Sequence, residues 1–194
     1  NVYCDKTNVD SKQCVAASCF NAGSATCATG ADQTQRVDIT DNTCLMKSGG
    51  TLSIGIFSEG QAYIERNYIT NPATYGMTCD LNNGAYCRFR SNIVVNAGTG
   101  CIDVSKTSAG PTADIYNNVL VNCGTYGIDA TGATATITAH NNSITGASTN
   151  GIYRGASGTV DSHNNVFGPI TAYSDNGVAG VAGTGDTAVD PGFI

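Results

Sequence analysis

Residues 113–121, Ala-Asp-Ile-Tyr-Asn-Asn-Val-Leu-Val, decide the fold. Before Asn118 apolar side chains alternate with polar ones, the period of a strand and not of a helix, and a short apolar run follows it. The same arrangement recurs as VDITDNTCL (37–45), AYIERNYIT (62–70), CRFRSNIVV (87–95), ITAHNNSIT (137–145) and VDSHNNVFG (160–168). Each copy holds an asparagine at the same place: Asn42, Asn67, Asn92, Asn118, Asn142 and Asn165, with successive differences of 25, 25, 26, 24 and 23. A near-constant period with small drift is what a solenoid produces when its turns differ slightly in length.

Three columns of the alignment are apolar almost throughout and are expected to point inward. They are Val37, Ala62, Cys87, Ala113, Ile137 and Val160; Ile39, Ile64, Phe89, Ile115, Ala139 and Ser162; and Cys44, Ile69, Val94, Leu120, Ile144 and Phe167. The asparagine falls between two short strands, where the chain must bend. Asparagine tolerates unusual backbone angles, and its amide can bond the same amide one turn away. A stack of such amides satisfies polar groups that burial would otherwise leave unpaired. A shorter ladder follows four residues later: Asn71, Asn96 and Asn122, replaced by Gly146. A third strand begins ten residues after the asparagine, with Met77, Ile102, Ile128 and Ile152 inward, preceded by Gly76, Cys101, Gly127 and Gly151. Three short strands per turn, with turns ~4.8 Å apart, make an all-β, single-stranded parallel β-helix of about six coils. Crossover handedness favours the right-handed form.

The N-x-[IVLF] turns, the strand starts Gly127-Ile128-Asp129 and Gly151-Ile152-Tyr153, and the segment Asp190-Pro191-Gly192-Phe193 resemble the right-handed β-helix repeat proteins of the pectate-lyase-like superfamily. The resemblance covers about residues 36–194. It specifies a fold and not a reaction, because this superfamily hosts lyases, hydrolases, adhesins, phage spikes and structural proteins. Residues 1–35 read as a Cys-rich N-terminal cap, in which Asn21 is able to head a degenerate coil; residues 36–170 read as the β-helix. Residues 171–194, rich in Gly, Ala and Asp, read as a tail packed on the last coil. Solenoid ends need such covers, since bare ends expose strand edges and core.

The 194 residues carry 9 Lys plus Arg against 15 Asp plus Glu, a net charge of −6. No basic patch is visible, which argues against a nucleic-acid partner, and no apolar run is long enough for a membrane span. Nine cysteines point to an oxidising compartment, hence a secreted or cell-surface protein. Cys4, Cys14, Cys19 and Cys27 crowd the N-terminus without zinc-ligand spacing. Cys79 with Cys87, and Cys101 with Cys123, are expected to join adjacent coils, although sequence alone does not fix the pairing. Cys44 sits in an inward column and reads as a buried thiol.

Function is sought in the outward columns. On the third strand the column reads Thr78, Asp103, Asp129, Tyr153. Two carboxylates on adjacent coils lie ~5 Å apart and either raise one another's pKa or recruit a cation such as Ca²⁺. The family resemblance implies a substrate cleft and calcium along this kind of face. A lyase also needs a basic residue over the cleft; Arg154 is near, and the Asp-Asp and Arg-x-Lys signatures of the family's hydrolases are missing. The strand before the asparagine presents Asp38, Tyr63, Arg88, Asp114, Thr138 and Asp161 beside Thr40, Glu65, Arg90, Tyr116, His140 and His163. Mixed Tyr, Arg and Asp suit sugar binding or a partner surface. The stacked His140 and His163 are candidates for metal binding or pH sensing, and Arg88 beside Asp114 reads as a cross-strand pair. The strand after the asparagine turns Tyr68, Ile93, Val119 and Val166, with Leu45, Val95 and Val121, outward. Such an apolar face calls for a covering segment or a subunit partner. Asn141-Asn142-Ser143 is a formal glycosylation sequon, expected unused because it falls on the ladder.

Two functional classes follow. The first is a non-catalytic extracellular protein, structural or adhesive, that assembles with itself or binds a surface polysaccharide. The alternative is a carbohydrate-active or carbohydrate-binding domain using Asp103 and Asp129.

Overall fold

The computed structural model describes residues 3–6, 13–18, 36–46, 54–59, 61–80, 86–104, 112–131, 136–155, 159–168, 171–175, 178–179 and 183–188. They form three sheets, each running along the solenoid. Sheet I holds the strands before the asparagines: Val37–Thr40, Ala62–Glu65, Tyr86–Arg90, Thr112–Tyr116, Thr136–His140 and Thr159–His163. Sheet II holds the strands after them: Thr43–Met46, Tyr68–Thr70, Ile93–Ala97, Val119–Cys123, Ser143–Thr145 and Val166–Phe167, extended by Tyr3–Lys6 at one end and Thr187–Ala188 at the other. Sheet III contains Gln13–Ser18, Ile54–Glu59, Tyr75–Asp80, Gly100–Asp103, Tyr126–Ala130, Asn150–Arg154 and Thr171–Asp175. All these neighbours pair in parallel; the short strand Val178–Ala179 closes sheet III antiparallel to Thr171–Asp175.

Six strands in sheet I match the six asparagine repeats. The aligned columns are the structural registers: Ile39 pairs with Ile64, Ile64 with Phe89, Phe89 with Ile115, Ile115 with Ala139, and Ala139 with Ser162. The inward columns meet in one core, where Ile64, Phe89, Ile115, Ile69, Leu120, Ile102 and Ile128 are fully buried. Both ends expected as covers supply strands to this framework, from residues 3–18 and from residues 171–188.

The bend at each asparagine differs from expectation by one residue. Positive φ falls on the residue before the ladder: Asp41, Arg66, Ser91, Asn117, Asn141 and Asn164, at 52–58°. The ladder asparagine itself is free to spend its amide on hydrogen bonds. In the Asn-Asn copies the first asparagine supplies the left-handed turn, which costs it less than it costs most residues, and the second supplies the ladder. Asn67, Asn92, Asn118 and Asn142 each send both the backbone N–H and Nδ2 to Oδ1 of the next ladder residue, at 2.9–3.0 Å. Nδ2 also reaches back to a carbonyl of the preceding turn, as from Asn92 to Ile64 at 2.8 Å. The second ladder does sit at positive φ, on Asn71, Asn96, Asn122 and Gly146, and is exposed, with Nδ2–Oδ1 distances of 3.0–3.1 Å. Asn142 is 1% exposed with its Nδ2 fully engaged, but the acceptor position of the sequon is Asn141, which is exposed at the bend, so, contrary to expectation, the ladder does not bury it.

Cys79 is joined to Cys87, and Cys101 to Cys123, all within the core. Cys44 is a buried free thiol, and Cys14 packs against the core. Cys4 pairs in register with Cys44. Cys19, Cys27 and the segment 190–193 lie outside the described residues.

Candidate functional site

Three outer faces follow from three sheets, and the sequence placed candidate residues on each. On sheet III, Asp103 and Asp129 are register partners, flanked by Thr78 and Tyr153. Their surroundings correct the picture of an open carboxylate pair, because Asp103 is 5% and Asp129 3% exposed. Tyr75 is the reason for part of that closure. Its register neighbour is Gly100, which has no side chain, so the Tyr75 ring lies across Gly100 and reaches the coil beyond. There its hydroxyl donates to Asp129 Oδ2 at 2.8 Å, while the Thr131 N–H donates to Oδ1 at 3.1 Å. Burial, then the Asp129 charge and its hydrogen bond, hold the Tyr75 phenol far above its ordinary value. Tyr126 and Tyr153 stack beside the pair with centroids 4.7 Å apart. The Thr78 hydroxyl is buried without a partner.

This donor set does not fit Ca²⁺ well. The ion takes six to eight oxygens, whereas here two carboxylates stand together and one of them already accepts two protein donors. No group of three or more His, Cys, Asp or Glu side chains converges for a metal among the described residues.

Sheet I carries the longer polar face. Tyr63 is sandwiched between cations, with the Arg36 guanidinium 4.2 Å and that of Arg88 3.6 Å from its ring centroid. Tyr63 meets Tyr86 edge-on at 6.0 Å, and the Tyr86 hydroxyl donates to Asp114 Oδ2 at 2.6 Å. Asp114 is the register neighbour of Arg88 but not its ion partner, contrary to expectation. Arg88 pairs instead with Glu65, which is 6% exposed and needs a cation beside it. Further along, Tyr116 and His140 stack at 4.9 Å with planes 10° apart, and Arg90 lies 5.7 Å over the other side of Tyr116. His140 and His163 are register partners, yet they are not drawn to one point. His163 Nε2 meets Asp161 Oδ1 at 2.6 Å while His140 rests on Tyr116. At the bend, Arg66 clamps Asp41 through two bonds of 2.7 and 2.8 Å, which holds the Asp41 carboxyl below its ordinary range.

Sheet II presents the apolar face. Tyr68 is 41% and Ile93 40% exposed, the two exposed large hydrophobics among the described residues. Leu45, Val95, Val119, Val121 and Val166 are half-buried around them.

Comparison with known proteins settles what this framework is. A family model described as "Right handed beta helix region" matches residues 3–167. The chain belongs to that family. No curated protein and no solved structure matches this β-helix. The match begins within the segment read as a cap, consistent with strands Tyr3–Lys6 and Gln13–Ser18 taking places in the sheets.

Sequence reasoning missed Tyr75, Tyr86 and Arg36 as members of these clusters. The blank at Gly100 beside Tyr75 is the one signal that was available for the first. The others depend on side chains leaning across neighbouring strands.

Proposed function

We propose that this β-helix is a secreted, non-catalytic adhesion protein that binds a surface polysaccharide along the outer face of sheet I. One observation carries the reading: a run of rings and guanidinium groups, from Arg36 and Tyr63 through Arg88 and Tyr86 to Arg90, Tyr116 and His140, lies along the solenoid axis. Rings offer flat apolar faces to sugar rings, and arginine and aspartate offer hydrogen bonds to hydroxyl groups. Coils repeat at ~4.8 Å, so an extended polymer meets a similar surface at each step. The two disulfides are compatible with an oxidising compartment. The carboxylate pair of sheet III, the other candidate, is nearly sequestered.

The test is binding of the purified chain to a panel of immobilised polysaccharides. Tyr116→Ala is expected to weaken the bound case about three- to tenfold, with Asp103→Ala leaving it unchanged. Loss of binding or of glycan cleavage in Asp103→Ala, with the fold intact, would move function to the carboxylate face.

A second reading rests on a separate observation, the exposed Tyr68 and Ile93 on a sheet face rich in apolar side chains. It is side-by-side association of copies through the part of sheet II from Thr43–Met46 to Val166–Phe167, whose outward columns hold no charged residue.

A further inference from the structure

Asn165 does not end its ladder in solvent. Its backbone N–H and Nδ2 both donate to Asp186 Oδ1, at 2.7 and 3.1 Å. The second carboxylate oxygen, Oδ2, accepts from Ser162 Oγ at 2.6 Å and from the Gly183 N–H at 2.9 Å. Around it the chain repeats the geometry of every earlier rung. Gly185, at φ 78°, lies over Asn164 in the left-handed column, where a Cβ would strike the Asn164 amide. The Thr187 N–H then bonds the Asn165 carbonyl at 2.9 Å, as the residue after each ladder asparagine does one coil back.

Thr184-Gly185-Asp186-Thr187 is therefore a seventh rung in which aspartate stands where asparagine stood. The exchange has a direction. Along the ladder each amide receives two N–H groups on Oδ1 and passes its own Nδ2 hydrogens onward. A carboxylate receives but has nothing to pass on. The stacked amides also point their positive ends toward Asp186, where a negative charge completes them as it does at a helix N-terminus. The edges of sheets I and III close at the same end. Val178–Ala179 covers Thr171–Asp175 antiparallel, and Thr184 bridges His163 at the edge of sheet I.

We infer that Asp186 is the end-stop of the asparagine ladder, terminating the stack of amides and closing this end of the solenoid to a further copy of the chain. The inference does not depend on the polymer-binding reading. It takes this end of the molecule out of self-association.

Amide hydrogen exchange of the full chain tests it. Asp186→Ala removes the acceptor for four donors, so the Asn165 and Gly183 amides are expected to exchange about ten- to a hundredfold faster. Asp186→Asn keeps Oδ1 and replaces Oδ2 by a donor. It is expected to speed Gly183 alone, and it decides the matter if the alanine variant fails to fold. Electron micrographs of the wild-type chain are expected to show particles no longer than one solenoid, roughly 35 Å for eight rungs. Unchanged protection in Asp186→Ala, or end-to-end rows in the wild type, would overturn the inference.

Discussion

Asn118 shows how one residue type can carry an architecture. It is 1% exposed; its Oδ1 accepts both N–H groups of Asn92, and its Nδ2 donates to the Phe89 and Tyr116 carbonyls and to Asn142 Oδ1. Alanine there would strand donors and acceptors in the core, and we expect Asn118→Ala to cost ~3 kcal/mol in urea denaturation. Asn96 performs a similar stacking on the surface at φ 58°. Asn96→Gly keeps the backbone angle and leaves only solvated groups, so the same measurement should give less than about 1 kcal/mol. Titration separates residues in the same way. Burial and the carboxylates that accept their hydroxyls raise the phenols of Tyr75 and Tyr86 well above the ordinary 10.0. Above that value an unfolded chain releases these protons and the folded one keeps them. Their stabilisation is therefore full below about pH 10 and declines as the pH rises further. Alkaline titration of phenolate absorbance should find both still protonated at pH 11 in the folded chain, and ionised at that pH once urea unfolds it. The ladder was legible from spacing alone because identical residues recur at nearly identical intervals. Asp186 was not, since both its identity and its interval of 21 residues depart from the pattern. The placement of the bend, one residue before the ladder, was hidden because asparagine occupies both positions in three of the copies.

Among the elements, sheets I and II were the most legible. Each strand of sheet I is half apolar by alternation, a slip of one residue would turn its apolar set out of the core, and the inward column of sheet II follows at a fixed interval, so the alignment of columns is also the register. Sheet III shows a second constraint, the lack of space behind Tyr126–Ala130. A Cβ on Gly127 would press on Ile144 Cγ2 from sheet II and on the Gly151 carbonyl of the next coil. Cys101 occupies the matching place one coil earlier because its side chain is drawn into the bond with Cys123. Gly127→Ala overpacks a core without slack and should destabilise the protein by ~1–3 kcal/mol, read as a lower urea midpoint at unchanged slope. A midpoint within error of the wild type would mean that sheets II and III can separate locally at no cost. The outer clusters resisted sequence reading for the opposite reason. Arg88 chooses Glu65 over its register neighbour Asp114, and Tyr75 passes over Gly100 to Asp129. Such diagonal reach depends on side-chain length and on which neighbour is a glycine, neither of which alternation encodes.

At the scale of the whole molecule the three faces divide by chemistry, and the division predicts how copies meet. The carboxylates of sheet III are covered and the polar groups of sheet I largely satisfy one another. From Thr43–Met46 to Val166–Phe167 the outward columns of sheet II carry no charged residue and hold both exposed large hydrophobics of the described residues, Tyr68 and Ile93. With its far end closed by Asp186, this side is the surface of the solenoid best suited to self-association. The face is only two residue columns wide, smaller than the ~800 Å² per partner of a stable interface, and the net charge of −6 opposes close approach. Association should accordingly be weak, concentration-dependent and strengthened by salt, which screens the repulsion without weakening apolar contact. Sedimentation velocity across a concentration series is the measurement. The wild type is expected to move toward a side-by-side dimer as concentration and salt rise. Ile93→Glu, which places a charge in the middle of the face without touching the core, should hold the chain monomeric at an unchanged urea midpoint. A wild-type chain that stays monomeric at high salt and millimolar concentration would remove sheet II as an interface between copies and leave the polar face of sheet I as the molecule's working surface.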